Sequence, residues 1–302
     1  MTWGLSAIGY ASWALAGMEI PEWRLAILQD AESELRDAII YPGGAFAGAV
    51  TLSYVHSVEW LARHPRGSLL RSLLASLRGA PRARRVLAEL PLGTADQRLV
   101  GHRVDYYQSW LVHEQDEEYW ERLDLRRNAA GMPELVHLAS GWYDVCLPSV
   151  LADYRALRDA GKRVRLVVGP WYHGRGVMDR PYRADVDGWL HAVAHGTNAL
   201  GGAPVRVHVG GADEWRDLPD WPPPGCSPTA WHLHAEGRLA TTPAPSGSPP
   251  DRYRYDPAQP TPRSAGPWRT WTVRPGRRTT AASSSAPTYS PTPARCSTRT
   301  SR

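Results

Sequence analysis

The spacing of apolar residues changes along the chain, and each change predicts a different element. Between residues 31 and 130 they recur at helical intervals, as in Leu69-Leu70, Leu73-Leu74 and Leu77 and in Val86-Leu-Ala-Glu-Leu90, so this stretch reads as mainly helical. Residues 134–140 (Glu-Leu-Val-His-Leu-Ala-Ser) and Val164-Arg-Leu-Val-Val168 are short apolar runs of the kind buried strands carry. Pro148 to Ala160 lies between them and reads as a helix, with proline near its start and Gly161 past its end. Strand, helix and strand in this order predict a parallel sheet covered by helices. Residues 1–30 read as a turn, a small-residue helix and a strand, Arg24-Leu-Ala-Ile-Leu28. After residue 200 the texture shortens. Val205-Arg-Val-His-Val209 and Ala230-Trp-His-Leu-His234 alternate between Gly/Pro-rich turns and predict antiparallel β structure.

Composition changes this picture mainly at the C-terminal end. With 302 residues and 42% hydrophobic residues, the chain can bury a real core. The net charge of +5 would suggest an anionic partner such as nucleic acid. Its location argues otherwise. Residues 268–302 hold seven Arg, no Asp or Glu and 14 Ser or Thr, which leaves residues 1–267 at −2. The last 35 residues have no apolar periodicity and read as a disordered tail. The three cysteines (Cys146, Cys226 and Cys296) form neither a disulfide framework nor a metal motif. Residues 1–18 carry no charged side chain, but Gly4, Ser6, Gly9, Tyr10, Ser12 and Gly17 interrupt them. They read as a buried segment rather than a signal peptide or membrane anchor.

Three constellations could carry chemistry. Gly4-Leu-Ser-Ala-Ile-Gly9 fits a G-x-S-x-x-G pattern, close to the G-x-S-x-G elbow that presents a nucleophilic serine on a sharp strand-to-helix turn. Such an elbow would aim Ser6 off the sheet edge and offer the Ala7 backbone N–H to an oxyanion. An ordinary Gly/Ser turn gives the same pattern. Gly141-Trp-Tyr-Asp144 follows the strand at 134–140; Asp144 could orient a histidine or cap the next helix. Gly169-Pro-Trp-Tyr-His173-Gly follows the next strand, where His173 could serve as a general base or be a surface loop histidine. Together Ser6, Asp144 and His173 run in the order Ser, Asp, His found in α/β-hydrolases.

At this point the chain resembles the cocaine-esterase/X-Pro dipeptidyl-peptidase family of serine hydrolases. The resemblance covers residues 2–267 and rests on residues 3–16, Tyr41-Pro-Gly-Gly-Ala-Phe-Ala47, Gly141-Trp-Tyr-Asp-Val145, Gly169-Pro-Trp-Tyr-His-Gly174, Gly211-Ala-Asp-Glu-Trp-Arg-Asp217 with Asp220-Trp-Pro-Pro-Pro224, and Tyr255-Asp-Pro-Ala-Gln-Pro-Thr-Pro262. It implies an α/β fold: an α/β-hydrolase core lacking its N-terminal strands, with a helical cap and a partial C-terminal β jelly roll. The expected segments are 1–30 for the elbow and start of the core, 31–130 for the cap, 131–200 for the rest of the core, 201–267 for the jelly roll and 268–302 for the tail. The resemblance also implies Ser6 as nucleophile, Asp144 as orienting acid and His173 as base, acting on a small ester, amide or short peptide without a cofactor.

Three departures accompany the resemblance. Ala7 stands where the family usually has Tyr, but the backbone N–H remains. The family carries further strands before its elbow, together with an oxyanion-hole Tyr, so the chain reads as a fragment whose catalytic competence is in question. An inactive remnant is the alternative expectation. The tail has a third peculiarity. Back-translated with suitable third bases and read one nucleotide earlier, residues 279–290 become DNRRLELRPDVL, which resembles the family's continuation, so residues 268–302 are expected to be frameshifted.

Other signals point to bland roles. His191 and His195 lack the third ligand and the HExxH pattern of a zinc site. His232 and His234 share one strand face, and Arg82, Arg84 and Arg85 read as a solvated helix face. No metal, nucleic-acid partner or membrane association is expected, the expected location is cytoplasmic, and oligomeric state is not legible.

Overall fold

The computed structural model describes residues 1–18, 20–64, 79, 81–196, 202–252, 254 and 256. The chain divides into one compact unit ending at Trp221 and a second beginning at Pro222. The expected tail and the leucine pattern at 69–77 lie outside the described residues.

The first unit is built on a six-stranded sheet: β1 (Thr2–Leu5), β2 (Leu25–Gln29), β3 (Leu135–Gly141), β4 (Arg163–Gly169), β5 (Val205–Val209) and β6 (Glu214–Leu218), side by side in chain order. The first five strands are parallel and β6 returns antiparallel. One register row runs Gly4, Leu28, Leu138, Leu166, Val205, so the carboxyl ends of the parallel strands share one edge. That edge is where open α/β sheets place their ligands.

Helices cover both faces, which explains why β2 is buried at every residue and why its sequence shows no alternation. On one face Leu25, Ile27, Ala139 and Val167 pack with Trp171 and with Tyr182, Val186 and Trp189 of a helix at Arg180–Ala194. The helices α1 (Ala7–Leu15) and α6 (Leu147–Asp159) also pack on the sheet, α1 against β1 and β2, α6 against β3 and β4. Between β2 and β3 lie the helices α2 (Gly48–Arg63), α3 (Ala95–Val100), α4 (Asp105–Val112) and α5 (Glu117–Leu123). Residues 81–87 are helical as well. The helix at Arg180–Ala194 is α7.

Two differences from the sequence reading are physical. Thr2–Leu5, read as a turn, is an edge strand, too short to show periodicity of its own. Val205–Val209, read as part of a separate β domain beginning at 201, lies against β4 in the main sheet. Its alternation reflects the outer sheet position: Val205 and Val207 are buried, while Arg206 lies over the Trp215 ring of β6 at 5.7 Å.

Among the described residues of the second unit, the strands are β7 (His232–Leu233) and β8 (Leu239–Ala240), paired antiparallel. No helix among the described residues is long and apolar enough to cross a membrane.

Candidate active site

Loops leaving the carboxyl edge after β1, β3 and β4 bring Ser6, Asp144 and His173 together. Ser6 follows β1 directly and α1 begins at the next residue. Its φ of 55° and ψ of −130° place a non-glycine residue in the left-handed half of backbone space, at a cost of about 1–3 kcal/mol. Neighbouring hydrogen bonds hold it there: Ser6 N–H donates to Gln29 O at 3.0 Å, and Ser6 O accepts from Gly9 N–H at 2.7 Å. The glycine spacing has a steric cause. A Cβ on Gly4 would stand 2.5 Å from the Gly9 nitrogen, and one on Gly9 would stand 2.2 Å from the Ala31 Cβ. Both glycines are needed for the strand to turn this tightly into the helix.

Asp144 lies in the turn after β3. Trp142 N–H donates to Gly169 O at 2.9 Å and Tyr143 N–H to Trp171 O at 3.1 Å, so the loops after β3 and β4 are stitched together. A Cβ on Gly141 would meet Trp171 O at 2.1 Å, which is why glycine ends β3. Asp144 reaches both the next helix and His173. Its Oδ1 accepts the Cys146 N–H at 2.8 Å at the start of α6, and both carboxylate oxygens lie 3.2 Å from His173 Nδ1. His173 Nε2 lies 3.0 Å from Ser6 Oγ. The network assigns the imidazole proton to Nδ1, leaving Nε2 to accept from the serine hydroxyl.

Burial works against both charges of the Asp144–His173 pair. The hydrogen bond and charge of His173 outweigh it and hold the Asp144 carboxyl below the usual carboxylate range. In turn, burial lowers His173, but Asp144 lifts the imidazole above its ordinary value. The Ala7 amide belongs to the first turn of α1, where N–H groups lack intrahelical acceptors and the helix end favours negative charge.

A second layer of acids surrounds the three residues and was not picked out from sequence. Asp30 and Glu32 follow β2 and are fully buried. Burial raises Glu32 to about 7, and its Oε2 accepts the Cys146 thiol at 3.1 Å. The signal was available for Asp30: a polar residue directly after a buried parallel strand, the same rule that picks out Ser6, Asp144 and His173. Asp144, Cys146 and His173 each offer a donor atom within 4.8 Å of the others, the arrangement a cation would need. Their hydrogen bonds already use the imidazole Nδ1 and the thiol. A cavity of about 390 Å³ whose lining includes Glu34, Arg36, Asp37, Trp120 and Arg126 does not include the three residues among its walls.

The family model for X-Pro dipeptidyl-peptidase (S15 family) matches residues 1–175, more than half of the chain. The chain belongs to this family. Cocaine esterase from Rhodococcus sp. (strain MB1 Bresler) is 32% identical over 201 residues, which are 57% of this chain and 34% of that protein. An α-amino acid ester hydrolase superposes with a TM-score of 0.67 at 18% identity, covering 88% of this chain and 47% of the other. An aminopeptidase from the marine sediment archaeon Thaumarchaeota archaeon superposes at 0.61 and 17% identity, covering 80% and 42%. These two likenesses carry the α/β-hydrolase fold. The S15 chain spans about a third of the cocaine esterase and under half of each solved structure.

Proposed function

We propose that this S15 chain hydrolyses ester or amide bonds of small molecules or short peptides through an acyl-enzyme on Ser6. The observation that carries the reading is the continuous link from Ser6 Oγ to His173 Nε2 at 3.0 Å and from His173 Nδ1 to Asp144 at 3.2 Å, at the carboxyl edge of the sheet. His173 takes the hydroxyl proton as Oγ attacks the carbonyl carbon. Asp144 keeps the imidazole in the receptive tautomer and stabilises the imidazolium. The Ala7 N–H faces the developing oxyanion, where one such donor is worth on the order of 10²–10³ in kcat. The imidazolium then protonates the leaving alcohol or amine. Water, deprotonated by His173, attacks the acyl carbon and restores Ser6. The names of the cocaine esterase and the α-amino acid ester hydrolase support ester chemistry for this chain.

A fluorophosphonate probe tests the reading. Ser6 is expected to be the labelled residue in peptide mapping, and Ser6→Ala to abolish both labelling and p-nitrophenyl acetate hydrolysis. Absence of labelling on a folded chain would favour the inactive-remnant alternative and overturn the proposal.

A further inference from the structure

Asp30 is a carboxylic acid that the mechanism above leaves unused. It follows β2 as Ser6 follows β1, is fully buried and has a φ of 47°. Its N–H donates to Ala139 O at 2.8 Å, tying the residue to the end of β3. Its Oδ2 accepts the N–H of Gly174, the residue after His173, at 2.7 Å, and the Gln29 amide at 3.3 Å. The other oxygen, Oδ1, is buried without a hydrogen-bond partner among the described residues. An ionised carboxylate with one bare oxygen is costly in an interior. A neutral acid avoids that cost by directing its O–H to a neighbouring carboxylate, and the neighbour here is Asp144.

We propose that Asp30 is a positioning residue of the triad. Through Gly174 N–H it fixes the loop that presents His173 to Ser6, and it stands beside Asp144 as the neutral partner of an ionised carboxylate. Burial and then the Asp144 charge both push the Asp30 carboxyl up, in keeping with this role. The groups that face it are Asp144 from the β3 loop, His173 from the β4 loop, Cys146 at the start of α6, and the Tyr182 hydroxyl of α7. The inference rests on the hydrolase reading, which the Ser6 labelling tests separately.

The test compares Asp30→Asn with Asp30→Ala in the full chain. Asparagine keeps an oxygen for Gly174 N–H and an N–H for Asp144, and it is neutral. It is expected to retain kcat toward p-nitrophenyl acetate within about threefold. It is also expected to leave the acid limb of kcat/KM in place, because no charge beside His173 has been removed. Alanine frees the loop and is expected to lower kcat about 10²-fold with little change in KM. NMR of the Gly174 amide and the His173 imidazole supplies a readout independent of turnover: both signals stay in place in the Asn variant and move in the Ala variant. Wild-type kinetics in Asp30→Ala, unmoved NMR signals in Asp30→Ala, or an acid limb shifted downward in Asp30→Asn would each overturn the proposal. A wild-type chain that is unlabelled at Ser6 overturns the hydrolase reading instead, while the NMR signals still judge Asp30.

Discussion

Asp144→Asn is the sharpest perturbation of the site, because it changes charge and donor pattern while keeping shape. Asp144 accepts from Cys146 N–H at 2.8 Å and from His173 Nδ1 at 3.2 Å. An asparagine has one oxygen for these two donors. If the oxygen stays on the Cys146 amide, the NH₂ faces Nδ1. That NH₂, in the place of Oδ2 at 3.2 Å, favours the imidazole that accepts at Nδ1 and carries its proton on Nε2, where it cannot take a proton from Ser6. The flipped amide restores the correct tautomer but sets NH₂ against the Cys146 N–H, leaving a buried donor unsatisfied at about 1–3 kcal/mol. The competent orientation is therefore populated at about 20% down to about 1%. Even that fraction lacks the negative charge that stabilises the imidazolium. The expected loss in kcat is about 10⁴-fold, or about 5.5 kcal/mol of transition-state stabilisation. Stopped-time hydrolysis of p-nitrophenyl acetate and the rate of fluorophosphonate labelling both read it, with urea unfolding as the check that the fold survives. A folded Asp144→Asn variant within tenfold of wild type would refute the assignment of Asp144 as the orienting acid.

Two further predictions concern the frame that holds the site. Gly4→Ala drives a Cβ to 2.5 Å from the Gly9 nitrogen, so urea unfolding is expected to show about 1–3 kcal/mol of destabilisation with loss of Ser6 labelling; Gly93→Ala, with no atom within 4 Å of the new Cβ, is the control expected to stay near wild type. The second concerns Asp185, which joins His137 Nε2 at 2.8 Å and a paired Arg165 fork at 2.9 and 3.0 Å under the sheet. Burial raises Asp185, but His137 and Arg165 overcome it and bring the carboxyl from 3.8 to about 2. A depressed acid contributes stability above its unfolded pKa and loses it as pH falls through the folded value, so about 2 kcal/mol should disappear between about pH 4 and pH 2. Unfolding curves of wild type and Asp185→Asn across that window check the sign: the variant should lack this part of the slope, and an equally steep slope would refute it.

Much of the site was legible because its residues obey a local rule. The apolar runs at 134–140 and 164–168 mark strands whose following loops carry Asp144 and His173, the Gly4-x-Ser6-x-x-Gly9 spacing marks Ser6, and parallel pairing puts the strand ends on one edge. In the second layer Asp30 obeys the same rule, directly after β2, whereas nothing local separates Glu32 from any other loop acid. Their partners come from distant parts of the chain, Gly174 of the β4 loop for Asp30 and Cys146 at the start of α6 for Glu32. Cys146 escaped for the same reason. As a lone cysteine it signals nothing, and its place between Glu32 and His173 comes from contacts more than a hundred residues apart in one case.

Local pattern alone determined the strand–helix–strand core, the helical insertion between β2 and β3, and the order of Ser6, Asp144 and His173, because apolar period and turn chemistry are properties of neighbouring residues. Pairing across the chain decided the rest. It put Val205–Val209 beside β4 instead of in a separate β domain. It also made the Gly4–Gly9 spacing a steric requirement and set Asp30 against the residue after His173. A sequence shows which faces must be buried, but which partner covers each face, and which acid is thereby stripped of water, is settled only when distant strands meet.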